Sequence, residues 1–469
     1  MSAARIEPGS FRDPHSRVVE ADGAVLRLLS EQGLRDWSAL AATELFRQAV
    51  AERKLVGTKV EPENAVDLPD GLVDGAAAVL RHEVVPFVSY PYEWTFAMLK
   101  DAALLQLELL RGALDENLIL KDSSPYNVQW RGAEPVFIDV GSFESLREGE
   151  PWIGYRQFCM LFLYPLLLQA YKDIPFQPWL RGRLDGIEPQ ECRDLMSSRD
   201  LFRAGVLTHV LLHARLARRH ADSSRDVKRE LGRAGFKKEL IVANVKRLER
   251  LVGKLEWRPG ASEWSDYGPR GHYTDSDSKR KDEVVRRAAA RRDWELAWDL
   301  GCNDGRFSRI VAEHARYVVA MDSDAAVVDG LYRSLRADRG TSILPLFVDV
   351  TDPSPALGWR GAERRTLTER GSPDLTLCLA LIHHVSISGN VPVRDFLDWL
   401  RSLETTLVIE FPTTDDPLVQ RLLARKQEGT HPDYERGYFE RCLAERFAVD
   451  STEELSSGTR VLYVARPKA

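Results

Sequence analysis

Apolar and polar positions follow two different rhythms along this chain, and the rhythm changes near residue 290. Downstream, short apolar runs alternate with amphipathic stretches. "ELAWDLG" (295–301) reads as a strand and "GRFSRIVAEHA" (305–315) as a helix. "YVVAMD" (317–322) is a second strand, followed by the helix "SDAAVVDGLYRSLRA" (323–337), capped by Ser323 or Asp324. "SILPLFVDV" (342–350) and "DLTLCLALI" (374–382) are further strands, a helix runs from about Pro392 to Leu403, and "TTLVIEF" (405–411) is the fifth strand. Two helical stretches, "DPLVQRLLARK" and "DYERGYFERCLAERF", then lead to two strands that turn at Ser456–Gly458. Alternating units of this kind predict an α/β domain with a parallel sheet covered on both faces, here of seven strands closed by an antiparallel hairpin.

Upstream the pattern is mainly helical, with a hairpin turning at Asp22–Gly23. The seam is "EWRPGASEWSDYGPRGHYTDSDSKRKDE" (256–283), rich in Gly, Pro, Ser and Asp and poor in periodicity. The expected organisation is an α+β, mainly helical domain over 1–255, a linker and lid over 256–290, and the α/β domain over 291–469. No internal repeat is visible.

Composition narrows the classes. At 469 residues and 44% hydrophobic content the chain is a multi-domain packed protein, and no apolar run is long enough to span a bilayer. The opening "MSAARIEPGSFRDPHSR" has no signal-peptide-like apolar stretch, so a cytoplasmic protein is expected. The net charge of -6 gives no electrostatic case for nucleic acid. One basic helical segment, 213–257, reads as a solvated helix face, with a docking surface for an acidic partner as the alternative. The cysteines Cys159, Cys192, Cys302, Cys378 and Cys442 share no metal-ligand spacing, so neither a metal site nor a disulfide framework is expected.

The glycine turn "DLGCNDGRF" carries the candidate chemistry. Gly301 and Gly305 let backbone approach a ligand closely, and Asn303 lies between them. Asp299 is placed to accept from an ammonium group or to hold the loop. Asp322 ends the second strand, where a carboxylate can take both hydroxyls of a ribose, and Asp349 ends the third, where an acid can meet an adenine amino group. The spacing is neither G-x-G-x-x-G nor a phosphate loop. The set resembles the class I S-adenosylmethionine-dependent methyltransferases, with "DLGCNDG", Asp322, Asp349 and a strand ending in "ALIHH". The resemblance implies a Rossmann-like methyltransferase sheet with S-adenosylmethionine as cofactor. His383 and His384 then fall beside the reacting methyl group, as a general base or as packing. Glu410 binds the acceptor or caps the helix starting near Asp416, and Trp264, Tyr267 and Tyr273 form a lid or simply pack.

The upstream half holds a second constellation in "NLILKDSSPYNVQWRGAEPVFIDVGSFES". Asp122, Asn127 and Asp139 follow the catalytic-loop and metal-loop order of a kinase-like fold. From Val84 to Phe143 it resembles aminoglycoside-phosphotransferase-like kinases, with "FVSYPYEWTF" as the hinge. A glycine-rich loop is missing, and Arg27 or Lys59 stands where a phosphate-binding lysine is needed. The expectation is a fold without phosphoryl transfer that holds a magnesium nucleotide, if any, without turning it over.

Nearly the whole chain resembles a bacterial family of two-part proteins, the nodulation-protein (NoeA)-like class I methyltransferases. The resemblance rests on "GSFRDP", "VSYPYEW", "LKDSSPYNVQW", "PVFIDVGSFE", "REGEPWIGYRQFCMLFLYPLLL", "DLGCNDGRFSRI", "ALIHHVSISGNVP" and "EFPTTDDPLVQRLL". It implies methyl transfer to a small-molecule or glycan acceptor, with the kinase-like half recognising substrate or partner. The alternative is a bifunctional or nucleotide-binding kinase-like protein with a regulatory methyltransferase domain. The acceptor atom and the oligomeric state stay open.

Overall fold

A computed structural model of the chain describes residues 4–62, 75–221, 237–260, 275–427 and 429–468. They fall into two compact units. The first comprises Met1–Trp130, Pro135–Arg258 and Ala356–Arg364, and the second Arg131–Glu134, Pro259–Pro355 and Arg365–Ala469.

The first unit begins with an antiparallel sheet of β1 (Arg5–Ile6), β2 (Ser16–Ala21), β3 (Ala24–Leu29), β4 (Thr58–Val60) and β5 (Ala78–His82), in the order β1-β2-β3-β5-β4. Asp22 and Gly23, both at positive φ, make the tight β2–β3 turn as the sequence suggests. Helix Glu31–Ala41 starts where Ser30 accepts from the Gly33 N–H, and helix Glu44–Ala51 where Thr43 accepts from that of Phe46. Helix Phe96–Asp115 is apolar on most of its circumference and is correspondingly buried. Two short antiparallel pairs follow: β6 (Leu118–Leu120) with β9 (Phe143–Ser145), and β7 (Val128–Arg131) with β8 (Glu134–Phe137).

The loops leaving β6 and β8 carry the polar trio. Asn127 donates to Asp122 Oδ2 (3.2 Å) and to Ser142 Oγ (3.1 Å), and Ser142 donates to Asp139 Oδ2 (2.5 Å). Arg27, pointing in from β3, closes the chain with an ion pair to Asp139 Oδ1 at 2.8 Å. It also donates to Ser16 and to His82. Burial pushes the His82 imidazole down to about 3, helped by the Arg27 charge. Burial alone would raise the Asp139 carboxyl, but Arg27 and Ser142 outweigh it and hold the group below its ordinary value. Burial and the Asp139 charge push Asp122 up.

The second unit is built on a seven-stranded sheet of β10 (Trp294–Leu300), β11 (Ala315–Asp322), β12 (Ile343–Phe347), β13 (Leu375–Cys378), β14 (Thr406–Pro412), β15 (Phe447–Glu454) and β16 (Arg460–Pro467). The order is β12-β11-β10-β13-β14-β16-β15, and the first five strands are parallel. β16 runs antiparallel to both β14 and β15. The central strands are buried on both faces, and Val318 to Met321 have no exposure at all, whereas β15 at the edge buries only Phe447. Strand order reverses between β10 and β13, so the carboxyl ends of these two strands open a crevice.

Two elements differ from the sequence pattern. "DLTLCLALI" leaves the sheet after Cys378, and Ala380 takes a positive φ of 50° there, a conformation a non-glycine residue resists. Residues Asp275–Ala289, assigned by their polarity to a linker and lid, form a helix. Its inward side carries Asp277 and Lys281 as well as Val284, Val285, Ala288 and Ala289. Two buried charges on that side hide the apolar stripe by which a helix is recognised.

The Arg27–Asp139 pair makes a stability prediction. Removing one partner leaves the other a largely buried charge, so Arg27→Met should destabilise the first unit by about 3 kcal/mol. Arg27→Met combined with Asp139→Asn should recover most of that loss. Urea unfolding of both variants checks this, and equal losses would mean that the pair is not the source.

Candidate functional site

The crevice is floored by the turn after β10. Gly301 (φ 74°), Asn303 (φ 48°) and Gly305 (φ 77°) all lie in the left-handed region. A Cβ on Gly305 would sit 2.5 Å from Leu331 Cδ1, so a side chain there would also force Leu331 to move. The turn is tied to β11: the N–H groups of Gly301 and Cys302 donate to the Met321 carbonyl (2.8 and 2.9 Å), and that of Asn303 donates to Asp322 Oδ2 (2.9 Å). Asp322 Oδ1 accepts from the Asp324 N–H at 3.0 Å. Asp324, not Ser323, then caps helix Ala325–Ala337.

Asp299 lies beneath the turn, almost fully buried, and accepts a 2.6 Å hydrogen bond from Ser308 Oγ. Burial pushes its carboxyl up to about 6; Ser308 and Lys281 oppose the shift and Asp322 adds to it. Asp322 is also raised by burial. Asp349 lies just beyond β12 on the same sheet edge, exposed, with Oδ1 accepting from the backbone and hydroxyl of Thr351.

On the other side of the crevice, the chain leaving β13 brings in His383 and His384, with ring centroids 4.0 Å apart. His383 has no exposure, and among the described residues neither ring nitrogen has a hydrogen-bond partner. Burial pushes its imidazole far down, and His384, Arg460 and Lys281 push in the same direction. His384 is pushed down to about 4, by burial first and Arg460 second. Burial thus works against the charged form of both rings.

Glu410, on β14, is fully buried and does not cap the next helix. Asp416 does that, accepting from the N–H groups of Leu418 and Val419. Glu410 instead receives two cations: Lys281 Nζ at 2.6 Å on Oε2, and Arg460 Nη1 at 3.2 Å on Oε1. Arg460 also donates through Nε to Asp416 Oδ2 at 2.7 Å. Lys281 and Arg460 are functional candidates that hydrophobic patterning misses. The only sequence signal for Lys281 is its spacing of four from Asp277 on one helix face.

The sheet edge thus collects Asp299, Gly301, Asn303, Gly305, Asp322, Asp349, His383, His384 and Glu410. Asp122, Asn127 and Asp139 meet in the first unit. Tyr273, with Trp264 and Tyr267, lies outside the described residues, as does part of the basic segment 213–257. Among the described residues, no group of three or more His, Cys, Asp or Glu is placed to hold a metal ion, and no helix is long and apolar enough to cross a membrane. The five cysteines are buried free thiols.

No family model matches the chain. Among solved structures, the N-methyltransferase NodS from Bradyrhizobium japonicum WM9 aligns with 41% of this chain and 98% of its own, at 13% identity and a TM-score of 0.31. Magnesium protoporphyrin IX methyltransferase (ChlM) from Synechocystis PCC 6803, with bound SAH, aligns with 43% of this chain and 92% of its own, at 15% identity and a TM-score of 0.30. The nodulation protein NoeA of Rhizobium meliloti (strain 1021) is 32% identical over 461 residues, which cover 97% of this chain and 94% of NoeA. Likeness of that degree along almost all of both sequences makes this chain a member of the NoeA family.

Proposed function

We propose that the second unit is an S-adenosylmethionine-dependent methyltransferase with a Rossmann-like sheet, acting on a small-molecule or glycan acceptor. One observation carries this reading: a glycine turn bound to the neighbouring strand, with Asp299 and Asp322 at adjacent strand tips, at the point where strand order reverses. The residues present suit that cofactor. Asp322 is half-buried and can take ribose hydroxyls, and the carboxylates supply negative charge for a ligand that is a sulfonium and an ammonium at once. Asn303 and Asp349 complete the donor side. Methyl transfer needs the acceptor atom in line with the bond that breaks, so the residues' main task is positioning. His383, His384 and Glu410 are proposed to face the acceptor. His383, whose ring nitrogens have no hydrogen-bond partner among the described residues and whose burial disfavours the charged form, can accept a hydrogen bond from an acceptor N–H or O–H and orient it.

The first unit is proposed as a kinase-like recognition domain without phosphoryl transfer. Arg27 supports this, because it neutralises the one carboxylate, Asp139, that a magnesium nucleotide would need most. The bifunctional alternative would gain from label transfer out of magnesium ATP that is lost in Asp139→Ala.

Two outcomes test the methyltransferase reading. The full chain should bind S-adenosylmethionine in calorimetry, and Asp322→Asn, which replaces an accepting oxygen with a donor, should weaken binding about tenfold or more. Unchanged affinity would place the ribose elsewhere. Asp299 adds a pH dependence. Its carboxyl titrates at about 6 in the free protein, and a cationic ligand favours the charged form. Affinity should therefore be full above pH 6 and fall as pH drops through it, with proton uptake by Asp299 opposing binding. Asp299→Asn should bind more weakly and without that slope.

A further inference from the structure

A cavity of about 670 Å³ opens in the first unit, and no member of the Asp122–Asn127–Asp139 network lines it. That volume suits a small-molecule ligand. Its walls are the carboxyl ends of two helices, Tyr164–Lys172 and Lys238–Lys254, the residues that follow each end, and Arg203. The first helix stops at Asp173, whose left-handed φ of 55° turns the chain, and Asp173 Oδ1 accepts the indole N–H of Trp257 at 2.7 Å. Trp257 also lies beside Phe96, with ring centroids 6.4 Å apart, and the Leu255 carbonyl accepts from the Lys100 ammonium at 2.8 Å. These contacts hold the segment beyond Lys254 in place as a wall. Arg203 is fixed in turn: it pairs with the buried Asp200 at 3.3 Å, which also takes Lys172 at 3.0 Å, and its guanidinium stands 4.9 Å from the centre of the Tyr171 ring.

The lining presents hydrogen-bonding groups of both senses. Lys172, Arg203, Lys254 and Arg258 donate, whereas Asp173 and Glu256 accept, and the two helix ends bring main-chain carbonyls that lack a partner further along their helix. The two signs of charge are interleaved: Asp200 is shared by Lys172 and Arg203, and Arg258 stands 3.1 Å from Glu256. A simple anion or cation meets no field of a single sign there. Tyr171 and Trp257 add half-buried aromatic surface. One polar atom is left over. Gln169 lines the cavity with 2% of its surface exposed, and its Oε1 has no hydrogen-bond partner among the described residues. Buried amide oxygens are rarely kept without a donor. A ligand that completes this set brings a donor to Gln169, accepts from ammonium and guanidinium groups, and offers an apolar face to a ring. A hydroxyl both donates and accepts, and a sugar ring carries several hydroxyls around a face of C–H groups.

We propose that this cavity is a binding site for a neutral saccharide. One sugar hydroxyl donates to Gln169 Oε1, others bridge the charged groups of the rim, and the C–H face of the ring rests against Trp257. The proposal goes beyond the methyltransferase reading and stands without it, because the site lies wholly in the first unit and its readout is binding.

The experiment is saturation-transfer NMR followed by calorimetry on the full-length protein without any donor cofactor. The probes are neutral disaccharides and tetrasaccharides of glucose, galactose, mannose and N-acetylglucosamine. At least one should bind, and Gln169→Leu should weaken that binding about tenfold while the melting temperature holds or rises, since the change removes a buried oxygen that has no partner. Lys254→Ala, at the exposed end of its helix, should weaken binding about threefold and serves if the Leu variant does not fold. Affinity should be the same in low and high salt, as it would not be for an anionic ligand. No binding by any probe, unchanged affinity in the folded variants, or a preference for sugar phosphates that salt abolishes would each overturn the proposal. Failure of the chain to bind S-adenosylmethionine would overturn the methyltransferase reading alone.

Discussion

A carboxylate with no solvent exposure must be matched by positive charge, and Glu410 organises the second unit around that requirement. Its two oxygens take cations from two directions. Arg460 reaches it from the start of β16 and extends the contact to Asp416, the cap of the next helix, so one guanidinium joins two strands and a helix start. Lys281 reaches it from a helix that precedes the sheet in sequence. The antiparallel closure of the sheet and the placement of that helix thus depend on the same buried oxygen atoms.

The crevice residues divide along this line. Those on the glycine-turn side hold the turn in shape: Asp322 binds two backbone N–H groups and Asp299 binds Ser308. The shape of the turn is thus fixed by the chain's own hydrogen bonds. On the β13 side, Ala380 is left-handed, and His383 a few residues on is buried against His384 with no hydrogen-bond partner for its ring nitrogens among the described residues. Backbone strain next to an unsatisfied polar side chain is a combination that folds rarely keep without use.

How much of this was legible in the sequence follows from the range of each interaction. The strands and most helices of the second half lie where the apolar periodicity places them, because local pattern reports local burial. The glycine turn is legible because a positive φ leaves a mark on residue type. The Lys281–Glu410–Arg460 chain is not, since its members are far apart in sequence and each looks like an ordinary surface charge. The same holds for Arg27, whose charge is matched by Asp139 far along the chain. Composition distinguishes neither a paired charge from a solvated one nor a ligand site from an internally satisfied network.

The helix Asp275–Ala289 carries a lesson for anyone dividing this protein. Its sequence is the kind usually trimmed away as a hydrophilic leader to the first recognisable strand. Cutting at Trp294 would take Lys281 away from Glu410 and strip the Ser456–Ser457 turn of its Asp277 anchor. The loss would fall on the sheet edge farthest along the chain from the cut. An autonomous version of this fold therefore begins where its charges are balanced, upstream of where its hydrophobic pattern starts.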